Sequence, residues 1–390
     1  MKILILHQYF KTPESGGAIR SYYLAKALAE RGHRVVVITS FNGEKDKVEM
    51  TEGIEVHYLS IPYDNRFRFS QRVRAFRRFM FSASRLAGKF ADFDHCYAIS
   101  VPLTIGLIAR WIKFRHKVPY FFEVGDLWPE APIQLGFIQN YFLKQILYGL
   151  EKSIYRNAES IVALSPAIQA IIEKKVPEKK VHMIPNMADD DFYKREQKKP
   201  DLENEFGVRG KFVVSYIGAL GLANGLDYLL ECANASRKSD LPIHFIVCGD
   251  GAVAEDLKFN SGRLNLQNIS FLDFANRDRV KDIMNVTDAV FVCYKNVPIL
   301  ETGSPNKFFD GLASGKLIVI NFRGWIKKEI EDNHCGIFAD PQHPTDFVKK
   351  ITPFLSDSKL LNEYQGAARD LGEKKYSKKK LSQAFSDLFS

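Results

Sequence analysis

The feature that most constrains this chain is a repeated unit of apolar strand, glycine-containing loop and helix. The first unit starts at KILILH, continues through a loop with Gly16 and Gly17, and ends in a helix that closes at Gly32. Later strands are equally continuous in apolar character: RVVVITS, PYFFEV and SIVAL, then FVVSYIG, IHFIVCG, ISFL, AVFVCY and LIVI. Strands without polar alternation are typical of parallel sheets that helices cover on both faces. The pattern predicts an α/β fold with two Rossmann-like domains.

A polar, charged segment without periodicity interrupts the repeat near residues 184–210. Because 390 residues are enough for two domains of ordinary size, we interpret this segment as the junction between them. The predicted units are an N-terminal domain over residues 1–190 and a C-terminal domain over residues 191–372. A final helix over residues 373–390 could belong to either domain, and a return onto the N-terminal domain is one arrangement.

Net charge, cysteine spacing and the length of apolar runs indicate which partners and which cellular compartment suit this chain. The net charge of +9 favours an anionic partner, and nucleic acid, phospholipid and sugar nucleotide all qualify. The five cysteines lie far apart without a C-x-x-C pair, which argues against a zinc site and favours a reducing compartment. The first apolar run is shorter than a signal peptide requires, and residues 100–109 are about half of a membrane-spanning helix. We therefore expect a cytoplasmic protein.

The strongest local pattern for ligand binding is ETGSPNKFFD at residues 301–310, between the AVFVCY strand and a helix. We expect Ser304 to cap that helix and Pro305 to occupy its first position, so that the first-turn N–H groups face the loop. Such a terminus attracts phosphate, and Lys307 adds a full positive charge within reach of a diphosphate. Asp310 lies one turn further on the same face, where it could accept hydrogen bonds from ribose hydroxyls. A capped surface helix with ordinary charges is the alternative.

Glycine turns at three places are weaker candidates. Gly218 and Gly221 follow the FVVSYI strand, and small residues there let backbone amides approach a phosphate. Gly249 lies in a similar turn after the next strand. In the first half, Gly17 lies in a loop where a donor sugar could rest against the backbone. Strand-to-helix turns often contain glycine, so each turn also has a purely structural explanation.

Carboxylates and a tryptophan cluster in EVGDLWPE at residues 123–130, directly after an apolar strand. Open α/β sheets bind their ligands at the carboxyl ends of the strands. Glu123, Asp126 and Glu130 would there contact acceptor hydroxyls, and Trp128 would pack against a sugar face. A solvated loop with a packing tryptophan is the alternative.

Residues 65–90 contain eight basic side chains and no acidic one, interleaved with phenylalanines. A helix of this composition is typical of proteins that lie on an anionic membrane surface. A core-facing helix with a basic polar side is the alternative. Nucleic acid would use the same charge, but no helix-turn-helix, zinc or RNP pattern accompanies it, so we expect no nucleic-acid partner.

Several of these segments together resemble retaining glycosyltransferases of the GT-B fold, of the glycosyltransferase family four type. The resemblance covers nearly the whole chain and rests on LAKALAERGHRVVVIT, HMIPN, GALGLANGL, CGDG and SPNKFFDGLASGKLIVI. FEVGDLWPEAPIQLG looks most similar to transferases of N-acetylated deoxy-hexosamines, such as L-fucosamine transferases of bacterial surface-polysaccharide assembly. The resemblance implies two domains facing each other across a cleft, the donor bound by the second, the acceptor by the first, and no required metal or cofactor.

The resemblance also implies site residues. The family carries two glutamates eight positions apart around the last phosphate-binding turn, and these positions are Thr302 and Asp310 here, with Glu301 beside the first. Relatives have a cation shortly after GALG, where this chain has Asn224 and leaves the charge to Lys307. The predicted catalytic residues are Glu301, Lys307 and Asp126. The predicted donor-binding residues are Gly17, Gly218, Gly221, Asn224, Gly249, Thr302, Gly303, Ser304, Pro305, Asn306 and Asp310.

The expected activity is transfer of an N-acetylated or deoxy hexosamine from a UDP-sugar to a lipid-linked saccharide acceptor, in surface-polysaccharide or other glycan synthesis. We expect the protein to associate with the inner face of the membrane through residues 65–90. Two other interpretations stay open. One is a sugar-nucleotide epimerase or hydrolase on the same fold. The other is a non-catalytic, sugar-nucleotide-binding subunit of another transferase, which the missing cation after GALG and Thr302 motivate.

Overall fold

The computed structural model describes residues 1–17, 19–64, 66–90 and 92–389, and the side chain of Phe69 lies outside this description. The strands are β1 (Lys2–Leu6), β2 (Arg34–Phe41), β3 (Lys47–Thr51), β4 (Ile54–Ser60), β5 (His95–Ile99), β6 (Tyr120–Val124), β7 (Ile161–Ala163), β8 (Val181–Met183), β9 (Phe212–Ile217), β10 (Ile243–Cys248), β11 (Ile269–Leu272), β12 (Ala289–Val292), β13 (Leu317–Ile320) and β14 (Gly336–Phe338). The helices are α1 (Arg20–Glu30), α2 (Phe69–Ala87), α3 (Thr104–His116), α4 (Glu130–Gln134), α5 (Tyr141–Asn157), α6 (Pro166–Lys175), α7 (Pro200–Glu205), α8 (Asp227–Lys238), α9 (Ala254–Arg263), α10 (Arg277–Val286), α11 (Asn306–Ala313), α12 (Trp325–Asp332), α13 (Pro344–Ser356), α14 (Ser358–Lys375) and α15 (Lys378–Ser386).

The strands form two sheets, one after the other along the chain. Within the described residues, the N-terminal sheet has the order β3-β4-β2-β1-β5-β6-β7-β8, and only β3 runs antiparallel to its neighbour. The C-terminal sheet has the order β11-β10-β9-β12-β13-β14, and its paired strands are parallel. Strands β6 and β12 are buried along their whole length, as helices on both faces require. The predicted α/β class with two Rossmann-like units is confirmed.

Local signals place several helices where the sequence predicts them. Ser165 Oγ accepts a hydrogen bond from the backbone N of Ile168 at 3.0 Å, and Pro166 takes the first position of α6. The predicted basic segment forms α2, although its first residue, Asn65, lies outside the described residues. No helix in the described part of the chain combines the length and apolar character needed to cross a membrane.

The chain passes between the two domains twice, near Ala188 and near Tyr376, and these two crossing segments form backbone hydrogen bonds with each other. The backbone N of Ala188 donates to Tyr376 O at 2.8 Å, and the backbone N of Lys378 donates to Ala188 O at 2.9 Å. After the second crossing, α15 packs against α1, and the Phe385 ring lies 4.7 Å from the Tyr97 ring between centroids. The last helix therefore contacts the N-terminal sheet, while the boundaries at residues 190 and 372 stay predictions.

A buried ion pair anchors the first crossing. Arg20 on α1 and Glu123 at the end of β6 are 8% and 2% exposed, with 3.0 Å between Nη2 and Oε2. The guanidinium also donates to the carbonyl oxygen of Ile184 at 2.8 Å and to that of Pro185. The Tyr97 hydroxyl donates to the Glu123 carboxylate. These bonds hold the crossing segment against the N-terminal sheet, because a buried charge is tolerated only with such partners.

Replacing Glu123 by Gln tests this anchor. The variant leaves the Arg20 guanidinium buried without a counter-ion, so we expect the free energy of unfolding to fall by about 3–5 kcal/mol in urea denaturation. Glu130→Gln is the matched control, because the Glu130 carboxylate is only partly buried, and its loss should cost about 1 kcal/mol or less. Equal losses in the two variants would contradict the anchoring role.

Candidate active site

A cavity of about 690 Å³ lies between the two sheets, at the carboxyl ends of their central strands. The strand order reverses at β1/β5 in one sheet and at β9/β12 in the other, and loops that diverge from such a switch point leave a crevice. In the described part of the chain, no group of three or more His, Cys, Asp or Glu is arranged to hold a metal ion. Residues that line the cavity include Gly17, Ile19, Arg20, Tyr23, Tyr63 and Asp64 on one side, and Gly218, Gly249, Arg277, Pro305, Asn306, Lys307 and Asp310 on the other.

Lys307 in the first turn of α11 and Asp310 in its second turn both line the cavity, three residues apart on one face. The Lys307 ammonium lies 4.7 Å from the centroid of the Tyr216 ring and forms no ion pair with a described carboxylate. A Cβ atom on Gly218 would lie 3.4 Å from Lys307 Cε. Lys307 thus passes within contact distance of Gly218, a glycine whose φ of +142° other residues rarely adopt.

Burial shifts the charge of both side chains. Burial lowers the pKa of Lys307 to about 8, although Cys293 and Asp310 nearby favour its charged form. Burial raises the pKa of Asp310 to about 7, against the opposing charge of Arg277. Keeping each side chain charged away from water therefore costs free energy, and a ligand group of complementary charge or hydrogen-bonding capacity would offset that cost. A lysine without a counter-ion in a cavity is suited to an anionic ligand.

The glycine turns after β9 and β10 pack against each other. The backbone N of Gly218 donates to Cys248 O at 2.9 Å, and that of Gly249 donates to Leu272 O at 3.1 Å. A Cβ atom on Gly249 would lie 1.9 Å from Gly218 O, so this contact requires glycine. The expectation that these amides face a phosphate is corrected, because their N–H groups are already bonded within the protein. Both residues still line the cavity.

The turn before α11 also differs from its prediction. Pro305 is the residue that precedes the helix, and α11 begins at Asn306. Ser304 makes no capping hydrogen bond, because its hydroxyl oxygen instead accepts from the backbone N of Asn186 at 3.5 Å. This contact reaches across to the first crossing segment, which sequence spacing cannot show.

Other predicted donor residues hold loops in place instead of lining the cavity. The Thr302 hydroxyl donates to Ile299 O at 2.7 Å, and the Trp325 indole donates to Gly303 O at 2.8 Å. The side-chain amide of Asn224 donates to the backbone of its own turn at 2.8 Å. The predicted donor-binding residues outside the cavity lining are Gly221, Asn224, Thr302, Gly303 and Ser304, and the other predicted residues outside it are Glu301, Asp126, Glu123, Trp128 and Glu130.

The predicted acceptor residues after β6 are mostly bonded within the protein. Glu123 belongs to the buried ion pair described above. Glu130 accepts a hydrogen bond from the Tyr148 hydroxyl at 2.5 Å, and the Trp128 ring lies edge-on to Phe76 with 6.2 Å between centroids. Burial and the ion pair speak against an acceptor contact for Glu123, whereas contacts of Trp128 and Glu130 with an acceptor stay predictions.

Asp126 is the exception in this loop. Its side chain is exposed and forms no hydrogen bond or ion pair with a described residue. The surrounding protein nevertheless displaces enough water to raise the pKa of its carboxyl. Burial and the charge of Asp126 together raise the pKa of Tyr294, which lines the cavity. Asp126 therefore lies close to the cavity on the N-terminal side.

A charged cluster beside the cavity was missed by the sequence analysis. Asp189 accepts hydrogen bonds from the Tyr23 hydroxyl at 2.6 Å and from Lys378 Nζ at 2.7 Å, and it pairs with Arg277. The Arg277 guanidinium lies 3.7 Å from the centroid of the Phe192 ring. These side chains come from distant parts of the chain, so no local pattern could mark them.

Two Rossmann-like domains that face each other across a cleft, with a free lysine at the carboxyl end of the second sheet, define the GT-B class of glycosyltransferase. The family profiles agree: the glycosyl transferase 4-like domain matches residues 15–187, and the glycosyl transferases group 1 family matches residues 198–371. The two matches together cover most of the chain, which therefore belongs to these glycosyltransferase families and has the GT-B fold.

Individual relatives are distant. The chain is 26% identical to the putative teichuronic acid biosynthesis glycosyltransferase TuaH of Bacillus subtilis, over 61% of this chain and 58% of that protein, which is less than two thirds of its length. It is 21% identical to the alpha-D-kanosaminyltransferase of Streptomyces kanamyceticus, over 72% of this chain and 68% of that one. The structure of HepE from Anabaena in complex with UDP-glucose superposes with a TM-score of 0.71 at 17% identity, covering 100% and 99% of the two chains.

The raised pKa of Asp310 predicts a cost to stability that depends on pH. The folded protein holds this proton up to about pH 7 and the unfolded chain only to about 3.8, so the free energy of unfolding falls as pH rises between these values. Asp310→Asn removes the carboxylate. We expect the variant to be more stable than the wild type by roughly 1–4 kcal/mol at pH 8 and by little near pH 4.5.

Urea unfolding of both proteins at the two pH values measures this difference. Asp256→Asn, which removes an exposed carboxylate on α9, is the control and should show no such change. The same effect of Asp310→Asn at both pH values would contradict the burial cost assigned to this carboxyl.

Proposed function

We propose that this glycosyltransferase retains the configuration of the transferred sugar, needs no metal, and takes an N-acetylated or deoxy hexosamine from a UDP-sugar. The proposed acceptor is a lipid-linked saccharide at the inner face of the membrane, in surface-polysaccharide or other glycan synthesis. The observation that carries this proposal is the partly buried Lys307 side chain, which lines the cavity without a described counter-ion. A nucleotide diphosphate would supply the complementary charge.

The relatives support the finer parts of the proposal. HepE was solved with UDP-glucose, which favours UDP as the nucleotide. The names of TuaH and the kanosaminyltransferase favour glycan synthesis and an unusual sugar. The resemblance of FEVGDLWPEAPIQLG to transferases of N-acetylated deoxy-hexosamines favours the hexosamine.

In the proposed reaction, the bond between sugar C1 and a diphosphate oxygen breaks while the acceptor oxygen bonds to C1 on the same face. The acceptor proton passes to the departing diphosphate. Negative charge grows on the diphosphate as its bond to C1 breaks, so Lys307 and the N-terminus of α11 stabilise the transition state more than the ground state. Because the amides of Gly218 and Gly249 are occupied, Lys307 carries most of this neutralisation. Asp310, on the same helix face, is placed to accept hydrogen bonds from ribose hydroxyls.

The acceptor is proposed to approach from the loop after β6. Asp126 is the open carboxylate there, and we assign it the role of holding the acceptor hydroxyl. Glu301 lies in the 3₁₀ turn Pro298–Thr302 and is partly buried outside the cavity lining, so its proposed contact with the donor sugar requires the cleft to close further. A lipid-linked acceptor also requires a membrane contact, for which residues 65–90 are the proposed segment.

Removing the Lys307 ammonium tests the proposed donor site. Lys307→Ala should lower kcat/KM by about a hundredfold or more, because one charged donor to a leaving group is lost. Lys316→Met is the matched control. Lys316 is buried, and burial lowers its pKa to about 8 as well, but its ammonium donates to Asn285 O at 3.4 Å outside the cavity. Thermal melting of both variants checks that they are folded. Near-normal turnover in folded Lys307→Ala would contradict the scheme.

The lowered pKa of Lys307 also predicts how UDP affinity depends on pH. A bound diphosphate favours the protonated ammonium, so above about pH 8 binding must take up a proton and the affinity falls as pH rises. Isothermal titration of UDP to the Asp310→Asn variant, which lacks the carboxyl group that titrates near pH 7, should show a plateau followed by a decline between about pH 6.5 and 9.5. Lys307→Arg in the same background should bind without that decline, because a guanidinium keeps its proton over this range. An affinity of the Asp310→Asn variant that does not change with pH would contradict the assignment.

A further inference from the structure

Three helices of the N-terminal part form one continuous outer surface. Helices α2, α3 and α5 lie on the same face of the sheet, with α3 in contact with both others. Trp111 on α3 packs closely against the C-terminal end of α2. A Cβ atom built on Gly88 would lie only 3.1 Å from Trp111 Cη2. On the other side, Lys113 Nζ donates to the carbonyl oxygen of Asn157, at the end of α5, at 2.7 Å. We call the outer surface of α2, α3 and α5 the three-helix face.

Large apolar side chains on the three-helix face point into solvent. Phe81 on α2 is 63% exposed and Phe114 on α3 is 80% exposed. On α5, Tyr141, Phe142 and Ile146 are 68%, 75% and 66% exposed. The opposite sides of these helices already fill the core under the sheet, so the exposed rings add nothing to the fold. Apolar groups clustered on a folded surface mark a site of contact with another body.

The exposed charges on this face have one sign. Helix α2 carries five arginines and α3 carries three basic residues, and neither helix contains an acid. Helix α5 carries Lys144, Lys152 and Arg156, of which Arg156 pairs with Glu178 after α6, and its one carboxylate, Glu151, is 1% exposed and paired with Lys175. The described residues of the three helices therefore present positive charge and apolar rings to solvent, with no exposed carboxylate.

We propose that the three-helix face docks on an anionic lipid bilayer, with the exposed rings of α3 and α5 inserted between the lipids and the basic side chains at the level of the phosphates. Apolar rings flanked by cations are the arrangement with which interfacial helices bind such membranes. A second copy of the chain does not fit, because a two-fold contact would place this positive surface against itself. The contact is thus broader than residues 65–90, and its inserting side chains lie mostly outside that segment.

Docking in this way brings the membrane close to the cleft. The segment between β4 and α2 runs from the three-helix face to the cavity, where Tyr63 and Asp64 form part of the lining. In the same segment, Arg66 Nη2 lies 3.5 Å from Asp250 Oδ2, across the cleft. A lipid-linked acceptor in that bilayer would meet the cleft entrance at the membrane surface. This last step rests on the proposed function, whereas the docking surface does not.

Co-sedimentation of the full chain with vesicles tests the docking surface. We compare phosphatidylcholine vesicles that contain about 30 mol% phosphatidylglycerol with pure phosphatidylcholine, and expect binding to the anionic vesicles that weakens with salt. The double variant Phe142→Ser, Ile146→Ser should weaken binding at least about tenfold. The triple variant Arg74→Gln, Arg77→Gln, Arg78→Gln should weaken it on the order of a hundredfold, at about fivefold for each charge near the surface.

Matched controls come from the C-terminal domain. Phe259→Ser removes a ring that is 67% exposed on α9, and Lys238→Gln with Arg263→Gln removes two exposed charges. Neither control should change vesicle binding by more than about twofold, because both sites lie away from the three-helix face. Thermal melting of each variant checks that it is folded before its binding is compared.

Several outcomes would overturn the proposal. These are equal binding to both kinds of vesicle, unchanged binding of the α5 variant, or a wild-type dimer that the α5 variant dissociates in the absence of any vesicle binding. UDP-induced melting shifts, measured in parallel, separate the two hypotheses. Vesicle binding as expected without a UDP shift would refute the proposed donor site and leave the docking surface standing. A UDP-induced melting shift without vesicle binding would refute the docking surface and leave the proposed donor site standing.

Discussion

One buried guanidinium holds the first crossing segment against the N-terminal sheet. Arg20 cannot be left uncompensated in the interior, and its planar fork satisfies the Glu123 carboxylate and two carbonyl groups of the first crossing together. Asp189, a few residues further on, gathers donors from α1, α10 and the start of α15. Hydrogen bonds from Lys378 and Tyr23 outweigh burial and lower the pKa of Asp189, so the cluster keeps its negative charge. The Asp189 cluster thus links α1 to α10 of the C-terminal domain, beside the cavity in which the site lies.

Within that cavity, the protein keeps two charges in an unfavourable state. Lys307 and Asp310 lose hydration on α11 and gain no hydrogen-bonded partner among the described residues. A structure selected for stability alone would have paired or replaced them, and such exceptions are expected at functional sites. The glycines at 218 and 249 contribute indirectly, because their close packing brings together the ends of β9 and β10 beside the lysine. An anionic ligand in the cavity would offset the cost of the Lys307 charge, and hydroxyl groups of the same ligand that donate to Asp310 would offset the cost of the carboxylate.

The sequence was sufficient for the parts of the structure that depend on near neighbours. Continuous apolar strands predicted both sheets, and the three-residue spacing of Lys307 and Asp310 predicted their common helix face. The sequence was insufficient wherever the hydrogen-bond partner of a side chain comes from a distant segment of the chain. Glu123 looked like a ligand-binding carboxylate because its partner lies 103 residues away, and Ser304 looked like a helix cap because its partner lies 118 residues away. The exposed rings on α3 and α5 were overlooked for a related reason, since exposure depends on which helices are neighbours.

The most direct test of the central claim is a crystal structure of the protein with UDP bound. The account predicts that the diphosphate lies within salt-bridge distance of Lys307 Nζ, about 4 Å or less, with the ribose hydroxyls beside Asp310. The backbone N–H groups of Gly218 and Gly249 should remain bonded to Cys248 and Leu272 as they are here. A diphosphate bound elsewhere in the cleft, with the Lys307 ammonium still without an anionic partner, would contradict the account.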